Sequence, residues 1–346
     1  MLNVEQILNE DFGIDHFRSE PEALSNRPFG THSAAVDVPS HNEQTSPSLV
    51  NVRNEWDPLE EIIVGRASGC SFHADQRRQI DETEEDLEIL CVSLSSLGVT
   101  VKRPDATPFA DGTTPLGYST GNDLNYRPRD ILFAYGNKII ETPSIRRSRE
   151  NEAFRYRNIL LDYLESGSEW IIAQEPALQA DPDRDADGRT FADLDNEPIF
   201  DAANILRAGD DLFYLVSDTG NERGLHWLQT TLDPDCELHR VEGFYNALQM
   251  DSPIALLREG LVLVNPRRMD PADMPDLLKK WDRLDAPEMN LLMVSPTLAI
   301  VDAHQTNLMR LLEANGIDVL PLKLRHFHHL GGGFRSVTLD VRRAHG

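Results

Sequence analysis

The apolar positions of this chain fall into short units that repeat one plan. In residues 130–143, two apolar runs flank Gly136-Asn137, a pair typical of a β-hairpin. Apolar residues at helical spacing follow, and one short strand at 169–173 ends the unit. The same order of hairpin, helix and strand is predicted again from residues 205 and 291, and a hairpin with a short helix is predicted from residue 254. Residues 59–103 give a strand, a helix and a strand.

A repeated unit that cannot bury its own apolar face has to pack against copies of itself. Five such units can close a ring, with the loops at one end converging on an axial cleft. The competing interpretation is an ordinary pair of α+β domains. The remaining predicted strands are 59–66, 100–103, 205–207, 211–216, 236–241, 254–257, 261–264, 291–294, 299–301 and 318–322, and the predicted helices include residues 87–97, 153–164, 225–232, 274–281 and 308–312.

The last segment combines a glycine loop with an alternating run. Gly331 to Gly333 allow positive φ or a close approach of the backbone to a ligand. In the run that follows, Ser336 and its alternate neighbours Thr338 and Asp340 are predicted to share one face, opposite Arg335, Val337, Leu339 and Val341. This pattern predicts one small side chain held at the mouth of a cleft. The alternative is a plain glycine turn before an edge strand.

Composition separates the start of the chain from the rest. Residues 20–48 are rich in Ser, Pro, Asn and His, so we interpret residues 1–48 as a flexible or extended N-terminal arm and residues 49–346 as a single domain. A docking peptide for a partner protein is the alternative for the arm. The charged residues 181–195 are predicted to form a surface loop.

Charge and cysteine content restrict the partners. The net charge of −25 argues against binding to nucleic acid, which requires a basic face, and disfavours anionic membranes. Cys70, Cys91 and Cys236 form neither a disulfide framework nor a zinc motif, and residues 1–25 contain no signal peptide. We therefore predict a cytoplasmic protein, with neither nucleic-acid nor membrane partners.

Three acidic residues lie at the edges of predicted hairpins. Asp130, Asp201 and Asp251 each open or precede a hairpin in successive units. Equivalent edges of a ring point to the same cavity, and several carboxylates around one cavity suit a guanidinium, whose planar N–H groups pair bidentately with them. The alternative is that each aspartate only ends a strand or caps a helix.

Five segments together resemble the glycine amidinotransferase family. They are NEWDPLEEIIVGR at 54–66, PRDILFAYGNKIIETP at 128–143, the RRSRENEAFRYRNILLDY that follows, FDAANILRAG at 200–209 and the LGGGFRSVTLDVRR that begins at Leu330. The resemblance covers residues 50–343. It implies an α/β fold of the guanidine-modifying pentein superfamily, a five-bladed α/β propeller of ββαβ-type units with pseudo-fivefold symmetry. It also implies a homodimer, no cofactor and no metal.

The resemblance implies a mechanism in which a cysteine thiolate attacks the guanidinium carbon of arginine and passes the amidino group to an amine. A histidine beside an acidic residue acts as general acid and base, and two aspartates grip the guanidinium. Here the cysteine position is Ser336 and the histidine position is Gln249. The grip corresponds to Asp130 and Asp251, the acidic partner of the histidine to Asp201, and further substrate contacts to Arg268, Asn204 and Arg283.

Three functions follow from these positions. The first is an enzyme of specialised metabolism that binds a small guanidino or amino compound and whose chemistry is altered or lost. The second is a non-catalytic binding protein of the same fold. The third is an active arginine amidinotransferase in which His326, His328 or His329 compensates for the missing base. A metal site at His326 and His328, placed on one strand face by alternation, is a weaker interpretation than a histidine-rich loop.

Overall fold

Fifteen strands in the described part of the chain form five sheets of three strands each. The computed structural model describes residues 49–67, 77–105, 125–143, 149, 152–176, 197–243 and 249–344, all within one compact unit, Ser46–Gly346. Each sheet joins an antiparallel pair of strands to a third, parallel strand. The repetition confirms the predicted five-bladed α/β propeller.

Four blades follow the order that their residues predict, whereas the fourth contains no α-helix in its crossover and gains a third strand at Asp282–Asp285 that was not predicted. In blades two to five, a hairpin leads through a crossover to the third strand, which lies parallel to the second. The strands are β1 (Leu59–Val64), β2 (Thr100–Lys102), β3 (Leu132–Tyr135), β4 (Lys138–Glu141), β5 (Glu169–Ile172), β6 (Ile205–Ala208), β7 (Asp211–Leu215), β8 (Glu237–Val241), β9 (Ile254–Arg258), β10 (Leu261–Val264), β11 (Asp282–Asp285), β12 (Leu291–Ser295), β13 (Leu298–Asp302), β14 (Asp318–Leu322) and β15 (Thr338–Arg343).

Helices cover four of the five crossovers. The α-helices are α1 (Arg77–Ser96), α2 (Pro128–Ile131), α3 (Arg157–Glu165), α4 (Glu222–Thr231), α5 (Thr306–Ala314) and α6 (Phe327–Leu330). The helix predicted at 274–281 is wrong: that crossover contains two 3-10 turns, Pro271–Asp273 and Leu278–Lys280. Met274 and Leu278 are buried at helical spacing, but the N–H groups of Met274, Lys280 and Trp281 bond to the carbonyl oxygen three residues back, which is the 3-10 pattern.

The first blade is completed by a strand from far along the chain. β1 pairs antiparallel with β15 and parallel with β2. The face alternation predicted from Arg335 is wrong for residues 335–337, because the strand begins only at Thr338. Within the strand, residues of both faces are buried. Asp340 is buried on the side that alternation assigned to polar residues, where it takes part in ion pairs.

Five apolar clusters lie between neighbouring blades and close the ring. Each takes residues from two successive blades, as Phe213 and Val262 do between the third and fourth, and Ile62 and Ile300 between the first and fifth. Burying these faces against each other provides the main apolar stabilisation. The remaining interfaces are built in the same way.

Several predictions lie outside the described residues. They are the arm at 1–48, the loop at 181–195 and Cys70. Within the described part, Cys91 is half-buried against the apolar cluster below α1, and Cys236 lies directly before β8. No described helix has the length and apolar character needed to span a membrane.

Candidate functional site

The glycine loop is fixed by the close approach of Asn290. Gly331 and Gly332 have backbone φ angles of +69° and +98°, which residues other than glycine rarely adopt. A β-carbon on Gly333 would lie 2.2 Å from Oδ1 of Asn290, and this oxygen accepts a hydrogen bond from the Phe334 N–H at 2.7 Å. The loop therefore requires glycine at Gly333, and its contact with Asn290 sets the backbone just before Ser336.

The loop forms one wall of a cleft of about 350 Å³. Four residues chosen from the sequence line this cleft together: Ser336, Gln249, Asp251 and Arg268. Ser336 makes no hydrogen bond with any residue that the structure describes. Its hydroxyl is therefore available to a ligand, and no base among the described residues is hydrogen-bonded to it.

Gln249 connects the cleft to Asp201. Its Nε2 donates to Oδ2 of Asp201 at 3.3 Å, and Asp201 is buried behind it. An amide in this position can orient a ligand and donate hydrogen bonds. It cannot take up a proton as an imidazole does.

Asp251 is a buried carboxylate with two arginines nearby. Arg129 Nε lies 3.6 Å from its Oδ2, and Arg335 Nη1 donates to the carbonyl oxygens of Ile254 (3.0 Å) and Asp251 (3.4 Å). Burial raises the pKa of the Asp251 carboxyl, and the charges of Arg335 and Arg129 oppose this rise. These arginines therefore favour the ionised form that a cationic ligand would require.

Asp130 is held by a second pair of arginines. Arg149 Nη1 lies 2.7 Å from Oδ2 of Asp130, and Arg127 Nε lies 3.4 Å from the same oxygen. Arg149 also makes a bidentate pair with Glu152 at 3.0 and 2.8 Å. Asp130 does not line the cleft directly, but its charge contributes to the raised pKa of Asp251.

Sequence reasoning did not identify Arg129, Arg149 and Arg335 as members of the site. A signal was present for two of them, because Arg129 adjoins Asp130 in RPRD and Arg335 adjoins Ser336 in GFRS, whereas Arg149 adjoins no selected position. Pairing of this kind depends on the fold, since Arg149 and Asp130 are 19 residues apart.

The structure places two other selected residues away from this cleft. Asn204 is fully buried, and its Nδ2 donates to the carbonyl oxygen of Thr219 at 2.8 Å and to the Thr219 hydroxyl at 3.1 Å. Arg283 is exposed on β11 and pairs with Asp285 at 3.0 Å. Neither lines the 350 Å³ cleft.

The three histidines before the glycine loop differ in their contacts. His326 Nε2 lies 2.6 Å from Oε2 of Glu82 on α1, whereas His328 lines the cleft beside Phe327. The alternation predicted for His326 and His328 is wrong, because residues 327–330 form a helical turn. Of the three, only His328 lines the same cleft as Ser336.

A buried network of charges lies beneath the cleft. Arg207 Nη2 is 2.6 Å from Asp340 and its Nε is 3.1 Å from Glu55, which also pairs with Arg129 at 2.9 Å. Burial alone would raise the pKa of Glu55, but the charges of Arg129 and Arg207 outweigh it and lower the pKa to about 2. Arg129 belongs both to this network and to the surroundings of Asp251, so the network positions part of the cleft.

Comparison with known proteins gives one consistent group. The chain is 43% identical over 341 residues to inosamine-phosphate amidinotransferase 1 of Streptomyces glaucescens, covering 86% of this chain and 97% of the relative. It is 34% identical to the mitochondrial glycine amidinotransferase of Gallus gallus, covering 84% and 82%.

Among solved structures, an inosamine-phosphate amidinotransferase from Streptomyces griseus superposes with a TM-score of 0.76 at 41% identity, covering 86% and 98%. No family model matches the chain.

Proposed function

The chain belongs to the amidinotransferase family, and from this premise we propose that its cleft binds a small guanidino or amino compound while the amidino-transfer chemistry is altered or lost. The observation that carries the proposal is that Ser336 and Gln249 line the same cleft as Asp251. The cleft thus combines a buried carboxylate with two side chains that do not form a nucleophile and base.

The carboxylates support recognition of a cation. Asp251 faces the cleft, and Asp201 lies behind Gln249 at hydrogen-bond distance. Buried carboxylates are costly unless they are paired, and Oδ2 of Asp251 lies 3.6 Å from Nε of Arg129. Oδ2 of Asp251 nevertheless accepts no hydrogen bond from the described residues, so this carboxylate keeps an acceptor for the N–H groups of a guanidino ligand.

The chemistry is limited by Ser336 and Gln249. A serine hydroxyl needs an adjacent base to become a nucleophile, and the amide of Gln249 cannot accept its proton. In a protease whose catalytic residues act as a unit, losing the nucleophile or the base lowers the rate by roughly 10⁴–10⁶. We therefore expect binding without the covalent amidino intermediate of the thiol route.

One observation favours a second candidate. His328 lines the cleft with Ser336, so a change of its side-chain rotamer could bring an imidazole to the hydroxyl. In that case the protein is an active amidinotransferase with a compensating base. Comparing wild type with His328→Gln separates the two candidates. If His328 is the base, wild type transfers the amidino group and the variant does so more slowly. If the chemistry is lost, neither protein shows transfer.

The test is calorimetry of the full chain with L-arginine, followed by intact-mass spectrometry of the same mixture. We expect saturable binding, no mass increase by an amidino group, and loss of binding in Asp251→Asn. The matched control is Asp276→Asn, an exposed carboxylate paired with Lys279 outside the cleft. Ornithine formation from arginine and an amine at rates typical of the family would refute the altered chemistry. Equal arginine binding by wild type and Asp251→Asn would refute the proposed ligand grip.

A further inference from the structure

A group of possible metal ligands lies on the third blade, apart from the cleft residues. β7 and β8 are parallel, with Asp211 opposite Glu237 and Phe213 opposite His239. Because side chains on a strand alternate between faces, Glu237 and His239 share one face with Asp211. One ligand atom from each of Asp211, Glu237 and His239 lies within 4.8 Å of the other two.

The imidazole of His239 is held from one side. Its ring is stacked on the buried ring of Phe213, with centroids 5.1 Å apart and planes 24° apart. Its Nε2 lies 2.6 Å from Oδ1 of Asp211. A histidine fixed in this way presents Nε2 toward the carboxylates while one quarter of its side chain (28%) stays accessible.

The charges around this trio favour a cation. The carboxylate of Glu237 has no hydrogen-bond or ion-pair partner among the residues that the structure describes. The adjacent basic residue Arg240 is engaged by Glu222 and Glu242. Two carboxylates and an imidazole are thus brought together by strand register, and the carboxylate of Glu237 lacks a partner in the described part of the chain.

We propose that Asp211, Glu237 and His239 form a binding site for a divalent metal ion, and that Zn²⁺ is the ion they prefer. One nitrogen and two oxygens from three side chains leave further positions for water, as in three-ligand zinc sites. Ligands at 2.0–2.1 Å from tetrahedral zinc are about 3.3 Å apart. The exposed Glu237 side chain can close the present spacing by changing its rotamer, and zinc replaces the His239–Asp211 hydrogen bond.

The chain contains its own control. His304 Nδ1 lies 2.9 Å from Oδ1 of Asp302, so it is also a histidine–carboxylate pair. Among the described residues, the Asp211–Glu237–His239 trio is the one group of three such ligands, and the His304 pair does not belong to it. A paired histidine without a third ligand should bind zinc much more weakly.

The experiment titrates the full chain, stripped with EDTA, with ZnCl₂ at pH 7.5 by calorimetry. Wild type is compared with His239→Gln, Glu237→Gln and His304→Gln, each checked for folding by circular dichroism. We expect His239→Gln to bind one equivalent of zinc less than wild type. Glu237→Gln should bind zinc at this site about tenfold more weakly, and His304→Gln should bind zinc as wild type does.

Equal zinc stoichiometry and affinity in wild type and His239→Gln would overturn the proposal. If His239→Gln fails to fold, Glu237→Gln decides, because its altered side chain is exposed and unpartnered. Unchanged affinity in that variant would likewise overturn the site. Electron paramagnetic resonance with Cu²⁺ in place of zinc supplies a further readout, since the site predicts coupling to a single imidazole nitrogen.

Discussion

Replacing Arg149 with methionine tests how strongly the buried charges depend on one another. Arg149 is 6% exposed and pairs with Asp130 at 2.7 Å and with Glu152 at 2.8 Å, and both carboxylates are buried. Methionine keeps the aliphatic volume and removes the guanidinium. The variant therefore leaves two buried carboxylates with less compensating charge.

The expected loss follows from burial. Breaking a buried pair by removing one partner costs about 3–5 kcal/mol, whereas an exposed pair contributes about 0.2–1 kcal/mol. The matched control is Arg283→Met, whose 3.0 Å pair with Asp285 has side chains 41% and 45% exposed. For a unit spanning Ser46–Gly346, an unfolding entropy of about 2.1 cal/mol/K per residue converts the larger loss into a fall in Tm of roughly 5–8 °C.

The assay is urea unfolding at pH 7, with thermal melts in parallel. The reasoning requires Arg149→Met to lose at least about 2 kcal/mol more stability than Arg283→Met. Equal losses in the two variants would show that burial of the Asp130 pair does not determine its contribution.

Two further predictions concern the charge network and the loop. Because the pKa of Glu55 is lowered to about 2 in the folded state, its contribution of about 3 kcal/mol is present above pH ~4.5 and is lost as the pH falls toward 2. The stability difference between wild type and Glu55→Gln in urea unfolding should thus shrink from pH 7 to pH 3, and a constant difference would contradict the assigned shift. Gly333→Ala should cost about 1–3 kcal/mol, because its β-carbon would meet Asn290 at 2.2 Å, and it should reduce the rise in Tm that arginine produces. If Gly333→Ala had the same Tm as wild type, both without and with arginine, the role of this close approach would be contradicted.

The local elements could be predicted because they depend on neighbouring residues. The strand predicted at 318–322 is β14, and the hairpin around Gly136-Asn137 is β3 and β4. Turn residues and apolar periodicity lie within a few positions of each other, so the sequence shows both. The 274–281 region shows the limit, since apolar spacing alone did not distinguish an α-helix from two 3-10 turns.

Contacts between distant segments could not be predicted from local patterns. β15 is buried on both faces, because Leu339 and Val341 lie in an apolar cluster while Asp340 pairs with Arg207 and Arg343. Its alternation therefore does not separate an exposed face from a buried one. Arg207 and Glu55 are 152 residues apart, yet their pair is part of what positions Arg129 beside Asp251. Predicting such pairs requires knowing which blades are neighbours.

The site residues selected from the sequence fall into two groups, those that line the cleft and those that lie elsewhere. Ser336, Gln249, Asp251 and Arg268, which the family resemblance selected, line one cleft. Of the three aspartates selected for their equivalent hairpin edges, Asp251 lines it, whereas Asp130 and Asp201 do not. Asn204 and Arg283 lie elsewhere, and their proposed substrate contacts stay predictions. The arginines around Asp130 and Asp251 became visible only with the fold.

The most direct test of the central claim is intact-mass spectrometry of the double variant Ser336→Cys, Gln249→His after mixing with arginine. If the cleft still grips a guanidinium and only the reactive pair differs, the introduced thiol should gain one amidino group and release ornithine, while wild type gains nothing. An amidino adduct on wild type, or a folded double variant that neither binds arginine nor forms the adduct, would contradict the account.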